Sequence, residues 1–254
     1  MIRIDLNSDL GEGYGAYRCG DDEAMLDIVT SANVACGLHA GDPEIMARTF
    51  AAACERGVVV GAHPGFPDLW GFGRRLIPFS AREIERLVAY QIGAAAALSA
   101  YAGHSIAYVK AHGALANLAA KERPAADAIA RAVRAVDPRL SLLAIALTEQ
   151  VPAGEAAGLR VFQEIFADRG YDEAGQLIVR DRPGALIDSA EDATSRAVAM
   201  VAEGAIITSA GTRLATPIHS ICVHGDSAHA VATARRTREC LSEAGIKLEP
   251  FGRQ

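Results

Sequence analysis

The chain has 254 residues, half of them apolar and 6% aromatic, enough to bury a large core. Its 24 glycines and 10 prolines exclude collagen-like and low-complexity classes. A net charge of −6 argues against a phosphate-backbone partner, so no nucleic acid is expected and Arg235, Arg236 and Arg238 read as a solvated helix face.

The first predicted strand is Ile2 to Asp9, where Ile2, Ile4 and Leu6 alternate with Asp5, Asn7 and Asp9. One face meets helices. The other carries polar groups toward a barrel interior or, on the plainer reading, toward water at a sheet edge. Gly11-Glu12-Gly13-Tyr14-Gly15 follows, a backbone able to pass close to a ligand. Asp21-Asp22-Glu23 opens a helix over Ala24 to Val29. The apolar run Thr30 to Cys36 is a strand ending in Gly37-Leu38-His39-Ala40-Gly41-Asp42, and Asp42 with Pro43 starts a helix that stops at Arg56-Gly57.

Val58 to Ala62 is a third strand, ending in His63, and the Gly- and Pro-rich loop to Pro78 reads as a lid or partner surface holding Trp70, Phe72, Arg74 and Arg75. Ser80 and Glu83 form a capping box for a helix to about Ala102. Strand four, Ile106 to Lys110, precedes Ala111-His112-Gly113, and Tyr108, Lys110 and His112 share a face while the extended geometry persists. Helices from Ala114 to Ala120 and Pro124 to Val136 lead to a strand over Leu140 to Ala146, a helix to about Ala157, and strand six, Arg160 to Phe166, which runs into Asp168-Arg169. A helix from Ala190 to Glu203, a strand at Ile206-Ile207, a strand over Ser220 to Val223 ending in His224-Gly225-Asp226, and a helix from Ala228 to Ala244 complete the order. Repeated βα alternation without a composition break predicts one (β/α)-barrel domain over residues 1–254.

The longest alanine-rich run, around Ala94 to Ala100, is too short for a bilayer and is broken by Ser99, so no membrane span is expected. Met1 to Asp5 lacks a secretory pattern, and five cysteines without a C-x-x-C pair fit reduced thiols; the expected compartment is the cytoplasm. Cys36 and Cys222 read as core packing.

Parallel α/β barrels gather their chemistry at the C-terminal ends of the strands. Four of the seven histidines, His39, His63, His112 and His224, sit at such ends, which points to one shared site. Barrel closure would bring His224 next to Asp9. His104, His219 and His229 stand in loop or helix contexts and read as surface or structural.

Asp5-Leu6-Asn7-Ser8-Asp9-Leu10-Gly11-Glu12, the run Ser31 to Pro43, Gly61-Ala62-His63-Pro64, Phe166-Ala167-Asp168-Arg169-Gly170-Tyr171 and Val223-His224-Gly225-Asp226 resemble, in the right order from Met1 to about Ile246, the LamB/YcsF family. Its members form one of the subunits of bacterial ATP-dependent 5-oxoprolinase. The resemblance implies a distorted, seven-stranded, TIM-barrel-like (β/α) barrel of the kind shared with polysaccharide deacetylases, so one of the eight strands above would fall outside it. It also implies the reaction: opening of the lactam ring of 5-oxo-L-proline to L-glutamate with ATP hydrolysis, in a complex with two further subunits. The family usually reads Lys-Pro-His-Gly-x-Leu-Tyr-Asn where this chain has Lys110-Ala111-His112-Gly113-Ala114-Leu115-Ala116-Asn117. Ala116 in place of tyrosine makes another lactam the alternative substrate.

A lactam is a poor electrophile with a poor leaving group, so its hydrolysis needs a base for water, an acid for the departing nitrogen and a stabiliser of oxyanion charge. Candidate catalytic residues are Asp9, His39, His63, Lys110, His112, Glu164 and His224. Candidate substrate contacts are Asn7, Glu12, Asp42, Arg74, Asn117, Asp168, Arg169 and Asp226. Histidine and carboxylate suit the first two roles and Lys110 or Arg169 the third, with acid and base left unassigned. No G-x-x-x-x-G-K-[ST] loop occurs, so ATP is expected to be handled with, or by, the partner subunits. A second reading is a metal-dependent, deacetylase-like hydrolase with Asp9, His39, His63 or His224 on zinc or a similar ion. A third is a non-catalytic scaffold.

Overall fold

The structure is a computed structural model that describes residues 1–187, 189–223 and 230–252. The chain runs β1 (Arg3–Leu10), α1 (Asp22–Leu26), β2 (Ser31–Ala35), α2 (Pro43–Arg56), β3 (Val59–His63), α3 (Ala81–Tyr101), β4 (Ile106–Val109), α4 (Gly113–Lys121) and α5 (Arg123–Val136). It continues through β5 (Ser141–Ile145), α6 (Gln150–Ala156), β6 (Val161–Phe166), α7 (Ala190–Glu203), β7 (Ala205–Ile207), β8 (Arg213–Ala215), β9 (Ser220–Val223), α8 (Ala230–Glu243) and β10 (Lys247–Leu248).

Strands β1 to β6 and then β9 lie side by side, all parallel, and β9 pairs back onto β1 with Ser220 opposite Asp5 and Cys222 opposite Asn7. That closes a seven-stranded barrel. The strand expected at Ile206-Ile207 is the one outside it: β7 pairs antiparallel with β8 across a local turn in which Thr208 N–H donates to Thr212 O at 2.9 Å. Apolar patterning marks a strand without naming its partner, and here a local hairpin supplies one. The short β10 adds to the start of β1.

Local signals set the helix ends. Asp42 accepts from the N–H groups of Glu44 and Ile45, Pro43 occupies the first turn, and Gly57 closes α2 at φ 65°. Ser80 and Glu83 form the capping box of α3. No helix among the described residues is long and apolar enough to cross a membrane.

Alternation along β1 sends Ile4, Leu6 and Leu10 into the apolar core and Asp5, Asn7 and Asp9 to the opposite, inner face. The barrel interior is therefore polar, and each buried group needs a partner. Asp5 accepts from Thr30 Oγ1 at 2.6 Å, from Ser31 Oγ at 2.7 Å and from Ser220 Oγ. Asn7 donates to Ser220 Oγ at 2.6 Å and to Glu164 Oε2 at 3.2 Å. The Tyr108 hydroxyl crosses the barrel to Asn33 Oδ1 at 2.7 Å. Gly61 makes room for that ring, since a Cβ there would lie 2.4 Å from Tyr108 Cε2. Burial raises the Asp5 carboxyl to about 6.

Candidate active site

At the C-terminal rim the polar interior becomes charged. Lys110, directly after β4, is 3% exposed. Its Nζ lies 2.9 Å from Asp9 Oδ1, 3.2 Å from Glu164 Oε2, 3.2 Å from Asn7 Oδ1 and 3.1 Å from Cys222 Sγ. Burial alone would depress the ammonium; the neighbouring carboxylates, Asp9 first and then Glu164, outweigh it and hold Lys110 well above its ordinary value. Burial raises the Glu164 carboxyl and lifts the Cys222 thiol well above its usual range. Cys222 is thus a protonated packing group, as the sequence suggests.

Beside this charge cluster stands a group of imidazoles. His63 Nε2 is 3.3 Å from Asp9 Oδ2, and its Nδ1 is 2.8 Å from the Lys110 carbonyl. His112 places Nδ1 3.0 Å from His63 Nε2 and Nε2 2.8 Å from the Phe72 carbonyl. The ring of His39 stacks on that of His112, with centroids 3.8 Å apart and planes 5° from parallel. Neither nitrogen of His39 has a hydrogen-bond partner among the described residues. Glu12 Oε1 lies 3.7 Å from His112 Nδ1 and 3.8 Å from His39 Nε2. Burial pushes His39 well below its ordinary value and His112 down to about 3, so both rings are neutral at physiological pH. One ligating atom from each of Glu12, His39, His63 and His112 falls within 4.8 Å of the others, a set able to hold a metal ion.

The loop after β3 shapes this cluster. Phe72 takes φ 54° and Gly73 φ 63°, and that turn aims the Phe72 carbonyl at His112. A Cβ on Gly73 would come within 2.7 Å of His39 Cβ and 2.8 Å of His112 Cδ2. The segment read as a lid is therefore a wall of the site on one side, while Trp70 at its tip is 98% exposed. His112 is also the N-cap residue of α4 without a side-chain cap, because its ring is engaged by the loop and His63.

A cavity of about 420 Å³ opens above these groups. Asp9, Glu12, His63, Lys110 and His112 line it, together with Ala116 and Asn117 of α4 and the cations Arg74, Lys121, Arg169 and Arg180. Arg169 is buried and anchored to the carbonyls of Ala185 at 3.1 Å and Ile178 at 2.7 Å. Burial lowers its guanidinium to about 10, which leaves it charged at neutral pH.

The structure thus brings Asp9, Glu12, His63, Lys110, His112, Arg74, Asn117 and Arg169 to one cavity. Asn7 and Glu164 contact Lys110 from within the barrel, and His39 backs His112. Two expected substrate contacts are not among the described residues that line it. Asp42 spends its carboxylate on the α2 N-terminus and on Gly15 N–H at 2.7 Å, the capping signal having outweighed the site reading. Asp168 is half-buried, and its carbonyl receives Ile187 N–H at 2.9 Å. His224 and Asp226 lie outside the described residues. Of the remaining histidines, His104 bonds the Val58 carbonyl and His219 accepts from Gln163 N–H, both structural ties, while His229 lies outside the described residues. Sequence reading missed Lys121, Arg180 and the Phe72 carbonyl. Lys121 had a usable signal, four residues after Asn117 on one helix face; Arg180 sits in a loop without a pattern.

A model of the LamB/YcsF family matches residues 4–254. A 5-oxoprolinase subunit of Azorhizobium caulinodans is 62% identical over 251 residues, covering 99% of each chain. Its counterpart from Gluconobacter oxydans is 58% identical over 245 residues, covering 96% of each. Among solved structures, the lactam utilization protein from Thermus thermophilus superposes with a TM-score of 0.93 at 42% identity, covering 98% of this chain and 100% of that one. The catalytic domain of a peptidoglycan N-acetylglucosamine deacetylase from Eubacterium rectale matches with a TM-score of 0.52 at 11% identity, covering 99% of this chain and 88% of that one, a likeness of fold alone.

Proposed function

The chain belongs to the LamB/YcsF family, and on that premise we propose that it carries the lactam-binding site of a cytoplasmic 5-oxoprolinase, opening 5-oxo-L-proline to L-glutamate with ATP hydrolysis in a complex with two further subunits. The observation that carries this reading is the buried Lys110 ammonium, held between Asp9 and Glu164 at the floor of a cavity with a cationic mouth. The substrate carboxylate enters among Arg74, Lys121, Arg169 and Arg180, with Asn117 and Glu12 as further contacts. Its ring carbonyl then faces Lys110, a fixed positive charge in a dry setting, where negative charge on the oxygen is stabilised most. Asp9 takes the proton of the attacking water as its oxygen bonds the ring carbonyl carbon, and returns that proton to the ring nitrogen as the C–N bond breaks, so the nitrogen leaves as the amine of glutamate. His39, His63 and His112 complete the proposed centre.

Five free cysteines agree with a reducing compartment. ATP is handled in the complex, with or by the other subunits, in keeping with relatives named as one subunit of several. The test is glutamate release from 5-oxoproline and ATP by this chain alone and by the assembled complex. Release by the complex only is expected. Robust ATP-dependent release by the chain alone would overturn the division of labour, and an inactive complex would overturn the substrate.

A further inference from the structure

We propose that Glu12, His39, His63 and His112 form a binding site for one divalent metal ion of the zinc class, at the floor of the cavity beside Asp9 and Lys110. The first argument is tautomeric. A carbonyl oxygen only accepts, so His63 places its ring hydrogen on Nδ1, toward the Lys110 carbonyl at 2.8 Å, and His112 places its own on Nε2, toward the Phe72 carbonyl at 2.8 Å. In neutral rings this leaves His63 Nε2 and His112 Nδ1 as two bare lone pairs facing each other at 3.0 Å. Two acceptors at that distance repel unless positive charge lies between or beside them.

A shared proton could relieve that pair alone, yet it leaves the rest of the cluster unexplained. Both ring nitrogens of His39, which is 1% exposed, have no hydrogen-bond partner among the described residues. A buried polar atom without a partner carries its full desolvation cost unless a ligand supplies one. Spacing points the same way. Ligand atoms about 2.1 Å from a tetrahedral zinc ion stand roughly 3.4 Å apart. Here three of the six separations are 3.0 Å between His63 and His112, 3.7 Å between His112 and Glu12, and 3.8 Å between His39 and Glu12, and all six are within 4.8 Å, so an ion would draw the set together slightly.

The hydrogen bonds from His63 and His112 to backbone carbonyls are the outer-shell partners that fix tautomer and ring orientation in metal-binding histidines. Three imidazoles and one carboxylate suit zinc or a similarly borderline ion; calcium and magnesium prefer oxygen throughout. The set differs from the one the sequence suggests. Asp9 is engaged by Lys110 at 2.9 Å and Asn33 at 2.8 Å through Oδ1, and its place is taken by Glu12. His112 joins His39 and His63 in the set; His224 lies outside the described residues. Such an ion supplies a Lewis acid at the cavity floor, and that use rests on the lactam-opening reading; its binding does not.

The test uses the full-length chain without an oligohistidine tag, purified free of chelator. Elemental analysis should find close to one zinc-class ion per chain. After stripping, Co²⁺ should restore saturable binding and give the intense visible bands of a four-coordinate nitrogen and oxygen site. His112→Ala and Glu12→Gln should each weaken Co²⁺ binding by more than the roughly 100-fold that loss of an outer-shell partner costs, with circular dichroism unchanged. Absence of saturable Zn²⁺ or Co²⁺ uptake by the stripped wild-type chain would overturn the proposal, even where a variant fails to fold. Uptake unaffected in both folded variants would overturn it as well. None of these readouts needs turnover, so an inactive complex that still holds the ion refutes the lactam reading and leaves this one standing.

Discussion

Asp5 and Asp9 sit four residues apart on the same face of the same strand, and they are different devices. Asp5 is fully buried and accepts from the neutral hydroxyls of Thr30, Ser31 and Ser220; burial raises it to about 6. The side chain of Asp9 is 11% exposed and meets the Lys110 ammonium, the Asn33 amide and the edge of His63. One carboxylate ties three strands together in the depth of the barrel. The other faces a cavity and shares its field with a buried cation. Residue type and strand face are the same, so the charge of the partners and the access to space set the two carboxylates apart: one packs, and the other is open to a ligand in the cavity.

The comparison is tested most severely by swapping the same atom at both positions. Asp9→Asn should lower turnover of the assembled complex by about 10²–10⁴, the usual cost of losing a positioned base. Its melting transition should stay nearly unchanged, because Glu164 remains as a counter-charge for Lys110. Asp5→Asn, which touches no cavity residue, should leave turnover close to wild type. Equal losses at both positions in a steady-state assay would erase the distinction. Lys110→Met comes next, with an expected loss of about 10²–10³, the range for one charge-stabilising donor. A folded, fully active Lys110→Met complex would remove the lysine from the site.

Much of this contrast was legible in the sequence. The period-two pattern of Ile4, Leu6, Asp5, Asn7 and Asp9 fixes which residues turn inward, and the strand-end rule brings His63, Lys110 and His112 to one rim. Closure of β9 onto β1 also followed from parallel topology. Geometry set by loops was not legible. Nothing in Gly71-Phe72-Gly73 announces a left-handed turn that points a carbonyl at His112. The stacking of His39 behind His112 depends on the same loop. Asp42 shows the converse case: its side chain could cap a helix or contact a ligand, and three backbone N–H groups within reach claimed it. Ile206-Ile207 has the composition of a barrel strand, but a local hairpin partner took it out of the barrel.

Asp5 also predicts a pH effect on stability. Its folded pKa, about 6, lies above its ordinary 3.8, so between these values the folded chain holds a proton that the unfolded chain releases. The Asp5 contribution to stability is full below the ordinary value and falls as pH rises through the folded one. The gap is worth on the order of 3 kcal/mol. Denaturant melts from pH 4 to pH 7 should therefore show a stability decline in the wild type that is shallower in Asp5→Asn. The same decline in both proteins would mean that the buried Asp5 charge is not its source.

The smallest expected effect belongs to Ala116, on the cavity wall. It lines the space beside Asn117, and its carbonyl accepts from Gln150 Nε2 at 2.9 Å, a bond that depends on backbone alone. A substitution there should therefore change the cavity while keeping α4 in place. The resemblance to the LamB/YcsF family implies tyrosine at this position. Ala116→Tyr narrows the cavity while leaving the Asp9–Lys110 pair itself unaltered in sequence, so binding should respond more than chemistry. KM for 5-oxoproline should move by about tenfold or less, the low end of what one pocket contact contributes, with kcat changed less. A bulkier lactam should lose more than 5-oxoproline does. If the variant instead improves 5-oxoproline turnover while abolishing that of a larger ring, the alanine sets ring-size preference and the native substrate is the larger lactam. If neither substrate responds, the side chain at 116 does not reach the bound ring, and the cationic mouth alone defines what the cavity accepts.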